Sequence, residues 1–381
     1  MKLKKFLQNE KQKMAKAKET VLEIDFNALK HNYNYLNSKL QKNTRFLAVV
    51  KAFAYGSDAE HIALHLQSLN VDYFAVAYVS EGIALRNAGI TKPILVLHPQ
   101  PVNFKKIIDH CLEPSLYNVN VLNTFHSIAK ELKQQNYPVH IKFNTGLNRL
   151  GFSGNDVDFV VSKICTDKTL FVKSIFSHLV ASEDFNEKEF TNNQISNFKH
   201  IAENFINAIG YKPLLHICNT SGVLNYPNAH FDMVRCGIGL YGFGNSEEEN
   251  KHLTPIASLK SVISQIHFIK KGENVGYNRA FKSSGFKKTA TIPIGHADGI
   301  GRQYGNRKGF VFINNQKAFI IGNVCMDMIM VDITKIDCKE GDEVIIFDSI
   351  HSAEDFARAS NTISYELITS ISQRVKRKHS C

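Results

Sequence analysis

Lys51 closes the apolar run Leu47-Ala48-Val49-Val50 and so carries an amine to the end of a buried segment. A charged ammonium is costly to desolvate there, which favours a depressed pKa or a covalent partner. Three further apolar runs end on groups of related chemistry: Lys142, with Arg149 following in NTGLNRLGF, then His178, then Arg235. Two small-residue loops complete the set. Asn219-Thr220-Ser221-Gly222 and Gly237-Ile238-Gly239 combine hydroxyls with unobstructed backbone N–H groups, the chemistry that holds a phosphate. A Schiff-base amine, a phosphate cradle and surrounding cations together point to pyridoxal phosphate (PLP). Taken singly, each residue has a plainer reading as a snorkelling lysine or a satisfied core histidine. One such group at each of four strand ends carries the inference.

Positioning these groups requires parallel strands that all end on one face. From Thr44 the chain alternates short β-branched runs with helical periodicity, the pattern of repeated βα units. Eight strands are expected, in RFLAVVK, YFAVA, PILVLH, EPSLY, VHIKFN, SIFSHL, PLLHICN and DMVRCGI. The intervening segments open on Ser, Asp or Asn caps, and two close on Gly. The fold class is therefore α/β, a (β/α)8 TIM-type barrel, with reactive groups at the C-terminal strand ends. After Gly244 the texture changes to ASLKSVISQIHFIKK, KKTATIPIGHA, GFVFINNQKAFIIGNVCMDMIMVDI and DEVIIFD, with Asn314-Asn315 as a hairpin turn and a last helix near SYELITSISQRV. The expected division is a basic flexible tail over 1–20, a PLP-binding barrel over 21–250, and a mainly β domain over 251–381 ending in a basic tail.

Charge and cysteine usage exclude several function classes. The 381 residues carry a net +11, but the first twenty hold +5 and the segment from Arg374 holds +4, leaving +2 for the body. No basic face for nucleic acid or an anionic membrane is expected. The lysine-rich start lacks the apolar core of a signal peptide, and no run is long enough to span a bilayer. Seven dispersed cysteines without a C-x-x-C pair read as reduced thiols in the cytoplasm, and no metal site is expected. His61 and His65 share a helical spacing but lack the H-E-x-x-H glutamate, and are read as structural. Gly237-Ile-Gly239-Leu-Tyr-Gly242 matches G-x-G-x-x-G, yet FGNSEEEN follows where a dinucleotide fold needs a helix.

The segment AVVKAFAYGSD around Lys51 resembles the cofactor-lysine motif of bacterial alanine racemases, PLP enzymes of fold type III. The resemblance runs from about Val21 to Arg374 through KFNTGLNRLGF, SIFSHL, HICNTSG, MVRCGIGLYG, ENVGYNRAF, IPIGHADG, IGNVCMD and ISYEL. It implies that Lys51 holds PLP through a Schiff base and acts as base for one enantiomer, with Tyr277 as the opposite base. Racemisation removes a proton from one face of a planar carbanion and returns one to the other, so two acid/base groups must flank the plane. Both titrate at about 10 in water and must be tuned. By the same resemblance His178 lies beside Tyr277 and Arg235 beside His178, and Arg235 faces the pyridine nitrogen. Decarboxylases of this fold type place a carboxylate there. Arg149 is implied to hold the phenolic oxygen and the substrate carboxylate, oriented by Lys142, which carries a carbamate in many relatives. Tyr55, Asn219, Thr220, Gly237, Ile238 and Tyr365 are implied around the cofactor, and Met326 offers its backbone N–H to the substrate. Tyr277, Met326 and Asp327 are implied to arrive from a partner subunit, hence a homodimer with shared active sites.

The resulting expectation is interconversion of L-alanine and D-alanine, supplying D-alanine for peptidoglycan. A serine or broad-specificity racemase, and a non-catalytic PLP-binding protein of the same barrel fold, are the alternatives. Departures from the family pattern are Asn144 for a common Asp, Phe53 for Asn, His296 for Tyr, Asn323 for Arg and Thr220 for Ser. None removes a catalytic group, while His296 and Asn323 are expected to bear on the substrate entryway.

Overall fold

The computed structural model describes residues 16–380. They divide into a barrel unit, residues 25–256, and a β unit formed by the residues up to Ile24 together with 257–379.

The barrel unit contains the eight expected strands: β2 Arg45–Val49, β3 Tyr73–Val76, β4 Ile94–Val96, β5 Glu113–Leu116, β6 Tyr137–Lys142, β7 Leu170–Phe176, β8 Leu214–His216 and β9 Met233–Cys236, where β1 is reserved for Val21–Asp25 of the β unit. All neighbours pair in parallel in the order 8-7-6-5-4-3-2-9. Backbone bonds from Asp232 to Leu215 (3.1 Å) and from Arg235 to Cys218 (3.0 Å) bring β9 back onto β8 and close the ring. Helices cover the outside of such a ring, so its strands are buried on both faces and read as unbroken apolar runs. Capping sets where those helices start. Asp25 accepts from Asn27 and Ala28 ahead of Phe26–Ser38, and Asn118 accepts from Val121 ahead of Val119–Glu131. The 22-residue helix Lys188–Ile209 stops at Gly210, whose φ of 82° suits a residue without Cβ.

The β unit is built on a nine-stranded sheet in the order 11-14-17-16-15-18-10-1-19. Its members are β1, β10 Ala257–Val262, β11 Gln265–Ile269, β14 Lys287–Ile292, β15 Phe310–Ile313, β16 Gln316–Ile321, β17 Ile329–Asp332, β18 Glu343–Phe347 and β19 Lys376–Ser380; a small ribbon pairs β12 Asn274–Val275 with β13 Phe281–Lys282. Asn314 and Asn315 join β15 to β16 with φ of 49° and 60°, the left-handed pair of a type I′ turn. The late helix is Ser364–Ser370.

Three features differ from the sequence reading. Strand β1 was not expected; it pairs antiparallel with β10 and so places Val21–Ile24 in the β unit. The basic segment after Arg374 forms β19 at the sheet edge, where lysines discourage further strand pairing. A short helix, Ala353–Arg358, interrupts the β texture. Of the expected N-terminal tail, residues 1–15 lie outside the described residues. Thr20 donates to Pro293 O (2.6 Å), and the Ala17 N–H donates to Glu343 (2.6 Å).

One buried ion pair secures β1: Lys260 Nζ lies 2.6 Å from Glu23 Oε2, both nearly covered. Removing one partner of such a pair leaves a buried charge uncompensated. Lys260→Met is expected to cost roughly 3 kcal/mol of stability, and Glu23→Gln combined with it to recover most of that loss. Thermal unfolding of the single and double variants checks this; equal midpoints for Lys260→Met and the unaltered protein would contradict it.

Candidate active site

Strand β2 delivers Lys51, and the chain then winds left-handed. Ala52, Phe53, Ala54 and Tyr55 have φ of 53°, 55°, 50° and 52°, and Gly56 follows at 79°. Left-handed helical backbone costs L-residues about 1–2 kcal/mol each, so surrounding contacts must hold it. Glu81 does part of this. Its Oε1 accepts the Ala52 N–H at 2.6 Å while Oε2 accepts those of Ala77 (2.7 Å) and Tyr78 (3.0 Å). On the far side Tyr55 stacks on Tyr241 with centroids 4.5 Å apart, and Tyr241 Oη donates to Val49 O at 3.0 Å.

Four cations converge on this mouth. Burial, then Arg149, push the Lys51 amine below its ordinary pKa against a smaller opposing pull from Glu81. Lys142 closes β6, is 8% exposed, and is pushed down to about 8 by burial first and then by Arg235, Arg149 and Lys51. Arg235 is 5% exposed, and burial lowers it to about 10, which leaves it cationic at neutral pH. Among the described residues no carboxylate stands at ion-pair distance from any of the four.

Neutral acceptors hold Arg235 instead. One terminal nitrogen donates to His216 Nδ1 at 2.6 Å; the other reaches Ser177 O (2.6 Å), Ile217 O (3.1 Å) and His178 Nδ1 (3.2 Å). A guanidinium only donates, so both imidazoles present a bare Nδ1 and carry their proton on Nε2. Burial first, and Arg235 next, drive both histidines well below their ordinary pKa, consistent with neutral rings. The Phe176 ring stacks on His216 (4.8 Å) and lies beneath the Arg235 guanidinium (5.3 Å).

The loop carrying Arg149 is folded by Asn144, whose Oδ1 accepts from Gly146 (3.1 Å) and Asn148 (3.0 Å). A Cβ on Gly151, at φ 131°, would fall 2.6 Å from Asn144 N. At the opposite rim Thr220 Oγ1 accepts from Gly237 N (3.3 Å) and Gly239 N (3.4 Å), and a Cβ on Gly237 would fall 2.3 Å from Tyr55 Oη. Tyr55 and Thr220 thus both pack against Gly237. Ile238 opens the 3-10 turn Ile238–Tyr241, so no α-helix starts within the glycine run; the next one is the single turn Glu247–Asn250. Asn219 accepts from Gly222 (2.9 Å) and Ser182 (2.8 Å), shaping the loop with its side chain.

The other expected residues belong to the β unit. Tyr277, Met326 and Asp327 line a cavity of about 660 Å³ there, and Tyr365 starts the helix Ser364–Ser370. Asn323 donates to Tyr277 O (3.3 Å), so this departure braces the tyrosine's backbone. His296 N–H donates to Cys325 O (2.9 Å) and Ala297 N–H to Met326 O (3.0 Å); Arg374 bridges Asp298 (2.7 Å) and Asp327 (2.6 Å). Glu81, Phe176 and His216 were missed from sequence. Glu81 reads there as an ordinary acid in a helix's first turn, while His216 carried a faint signal as a polar residue inside PLLHICN.

The chain is similar to known proteins over most of its length. Residues 24–244 match the model of the alanine racemase N-terminal domain, and residues 256–379 that of the C-terminal domain. An alanine racemase of Clostridium perfringens is 36% identical over 368 residues, covering 93% of this chain and 94% of the relative. The solved alanine racemase of Clostridium difficile superposes with a TM-score of 0.89 at 32% identity, over 95% of this chain and 96% of the other. That of Bartonella henselae, described as having covalently bound pyridoxal phosphate, gives 0.85 at 28% identity, over 95% and 99%. With both of its units matched and its relatives covered almost end to end, the chain belongs to the alanine racemase family.

Proposed function

We propose that this chain racemises alanine with PLP by a two-base mechanism, Lys51 and Tyr277 working on opposite faces of the substrate, in the cytoplasm and in supply of D-alanine to peptidoglycan. The observation that carries the reading is the cluster of Lys51, Lys142, Arg149 and Arg235, none of them ion-paired among the described residues, together with the contacts of Tyr55 and Thr220 on Gly237. A cofactor that brings its own negative charges fits that donor set, as does the covalently bound PLP of the Bartonella henselae relative. When bound, PLP supplies the conjugated ring that lets the amino acid's α-C–H bond ionise.

The residues divide the remaining work. Lys51 Nζ, held neutral more readily by its desolvation, would hold the cofactor covalently and would move the α-proton on one face. Tyr277 Oη would serve the other face. Arg235 would donate to the cofactor's ring nitrogen without surrendering its proton, which would limit charge delocalisation and disfavour transamination. Arg149 and the Met326 N–H hold the substrate carboxylate, and Tyr365 joins Tyr55, Thr220, Gly237 and Ile238 at the phosphate. Tyr277 is 73% exposed and Met326 59% exposed in the single chain, the condition of side chains that a second copy covers. This supports a homodimer whose sites are shared, with Tyr277, Met326 and Asp327 supplied across the interface.

Lys142 is read as carbamylated. Pushed down to about 8, it leaves far more amine neutral near pH 7 than an ordinary lysine does, and a carbamate's negative charge would offset three surrounding cations.

Three outcomes are expected. The purified protein shows a visible absorbance band that borohydride abolishes and that Lys51→Ala lacks, and that variant does not racemise; full interconversion by Lys51→Ala sinks the assignment. Tyr277→Phe lowers racemisation about 10²–10⁴-fold while solvent-deuterium exchange at the α-carbon survives for one enantiomer only. Exchange lost equally from both enantiomers contradicts the two-base scheme, and turnover on a panel including serine separates the broader racemase. Carbon-13 bicarbonate gives a carbamate resonance on Lys142 that grows as pH rises through about 8, since the neutral amine is the reactive form; its absence at every pH removes the carbamate.

A further inference from the structure

A second polar system lies beneath the mouth, inside the barrel. It takes one residue from each of five consecutive strands: Glu113 from β5, His140 from β6, Ser174 from β7, His216 from β8 and Arg235 from β9. Arg235 meets His216 Nδ1 at 2.6 Å, His216 Nε2 meets Ser174 Oγ at 2.8 Å, and Ser174 Oγ meets His140 Nδ1 at 2.5 Å. His140 Nε2 then meets Glu113 Oε2 at 2.7 Å, which Tyr73 Oη also approaches at 2.8 Å. His140, Ser174 and His216 are fully buried, and Glu113, Arg235 and Tyr73 are at most 9% exposed.

The chemistry of the two ends fixes every bond between them. Arg235 can only donate, and the Glu113 carboxylate can only accept. With both imidazoles neutral, one assignment satisfies the whole chain: Arg235 donates to His216, His216 to Ser174, Ser174 to His140, and His140 to Glu113. Each ring then carries its proton on Nε2. Reversing any link sets two donors or two acceptors against each other in a dry interior, where an unmade hydrogen bond costs about 1–3 kcal/mol.

We propose that Glu113, acting through His140, Ser174 and His216, is a positioning residue for Arg235: it locks His216 in the tautomer that accepts from the guanidinium and supplies a remote countercharge. The arrangement leaves Arg235 surrounded by neutral acceptors, so its positive potential at the site is not quenched by an adjacent carboxylate. Tyr73 completes the anion's coordination from β3 and holds it at the end of the chain. The inference rests on the assignment of Arg235 to the site made above.

The test uses nitrogen-15-histidine NMR and steady-state kinetics on the full-length holoenzyme, with Ser174→Ala cutting the chain midway and Glu113→Gln removing its charge. In the unaltered protein His216 is expected as a single neutral Nε2–H tautomer over about pH 6 to 8. In Ser174→Ala, which removes the acceptor of the His216 Nε2–H, His216 is expected to lose that single tautomer, and in either variant kcat is expected to fall about tenfold or more with KM for alanine changed less than about twofold. A variant that does not fold leaves the other to decide. A His216 that keeps one tautomer, with kcat within about twofold of the unaltered enzyme, overturns the proposal and leaves the chain a core network only. Failure of the racemase reading looks different: the unaltered protein would then lack both the borohydride-sensitive band and alanine turnover, while the NMR comparison would still decide the tautomers.

Discussion

Crowding of four cations that, among the described residues, no ion-paired carboxylate neutralises is the constraint on which the site depends. Lys51, Lys142, Arg149 and Arg235 would separate in a flexible chain; here strand ends and one tightly turned loop fix them. The barrel meets the cost through its ring of parallel strands, whose backbone bonds and apolar faces do not depend on the site's charge. Stability is thereby located below the mouth and reactivity at it, the usual division in this architecture. Burial first, and the neighbouring cations second, lower the proton affinity of Lys51 and Lys142, so the enclosure that costs folding energy also makes both amines easier to deprotonate than an ordinary lysine.

Much of this was legible in the sequence, for a physical reason. Strands buried on both faces are continuous apolar runs, and a charged residue terminating such a run is conspicuous; Lys51, Lys142 and Arg235 were found that way. What escaped depends on partners distant in the chain. Glu23 sits within VLEID and spoils its apolar pattern until Lys260 is known to pair with it. KRKHS reads as a solvated tail, although lysine suits the open edge that β19 occupies. Glu81 resembles any first-turn acid, and its use as an acceptor for Ala52 appears only once two βα units lie side by side. The interior histidines were equally opaque, since a polar residue in a buried strand reveals neither its partner nor its tautomer.

The departures from the family pattern also acquire reasons in part. Asn144 folds the Arg149 loop by accepting two backbone N–H groups, a task that needs an acceptor oxygen and no charge. Asn323 braces the Tyr277 backbone. Phe53, at φ 55°, occupies a conformation in which Asn is more at ease.

The left-handed turn after Lys51 has a consequence for biogenesis. No local preference of Ala52, Phe53, Ala54 or Tyr55 favours it, and the contacts that impose it come from Glu81, in the next βα unit, and from Tyr241, beyond the last barrel strand. A nascent chain therefore cannot present its lysine correctly until nearly the whole barrel has been synthesised and has closed. Partly made molecules would carry the right sequence without that turn, so the shape around Lys51 forms only with the completed barrel.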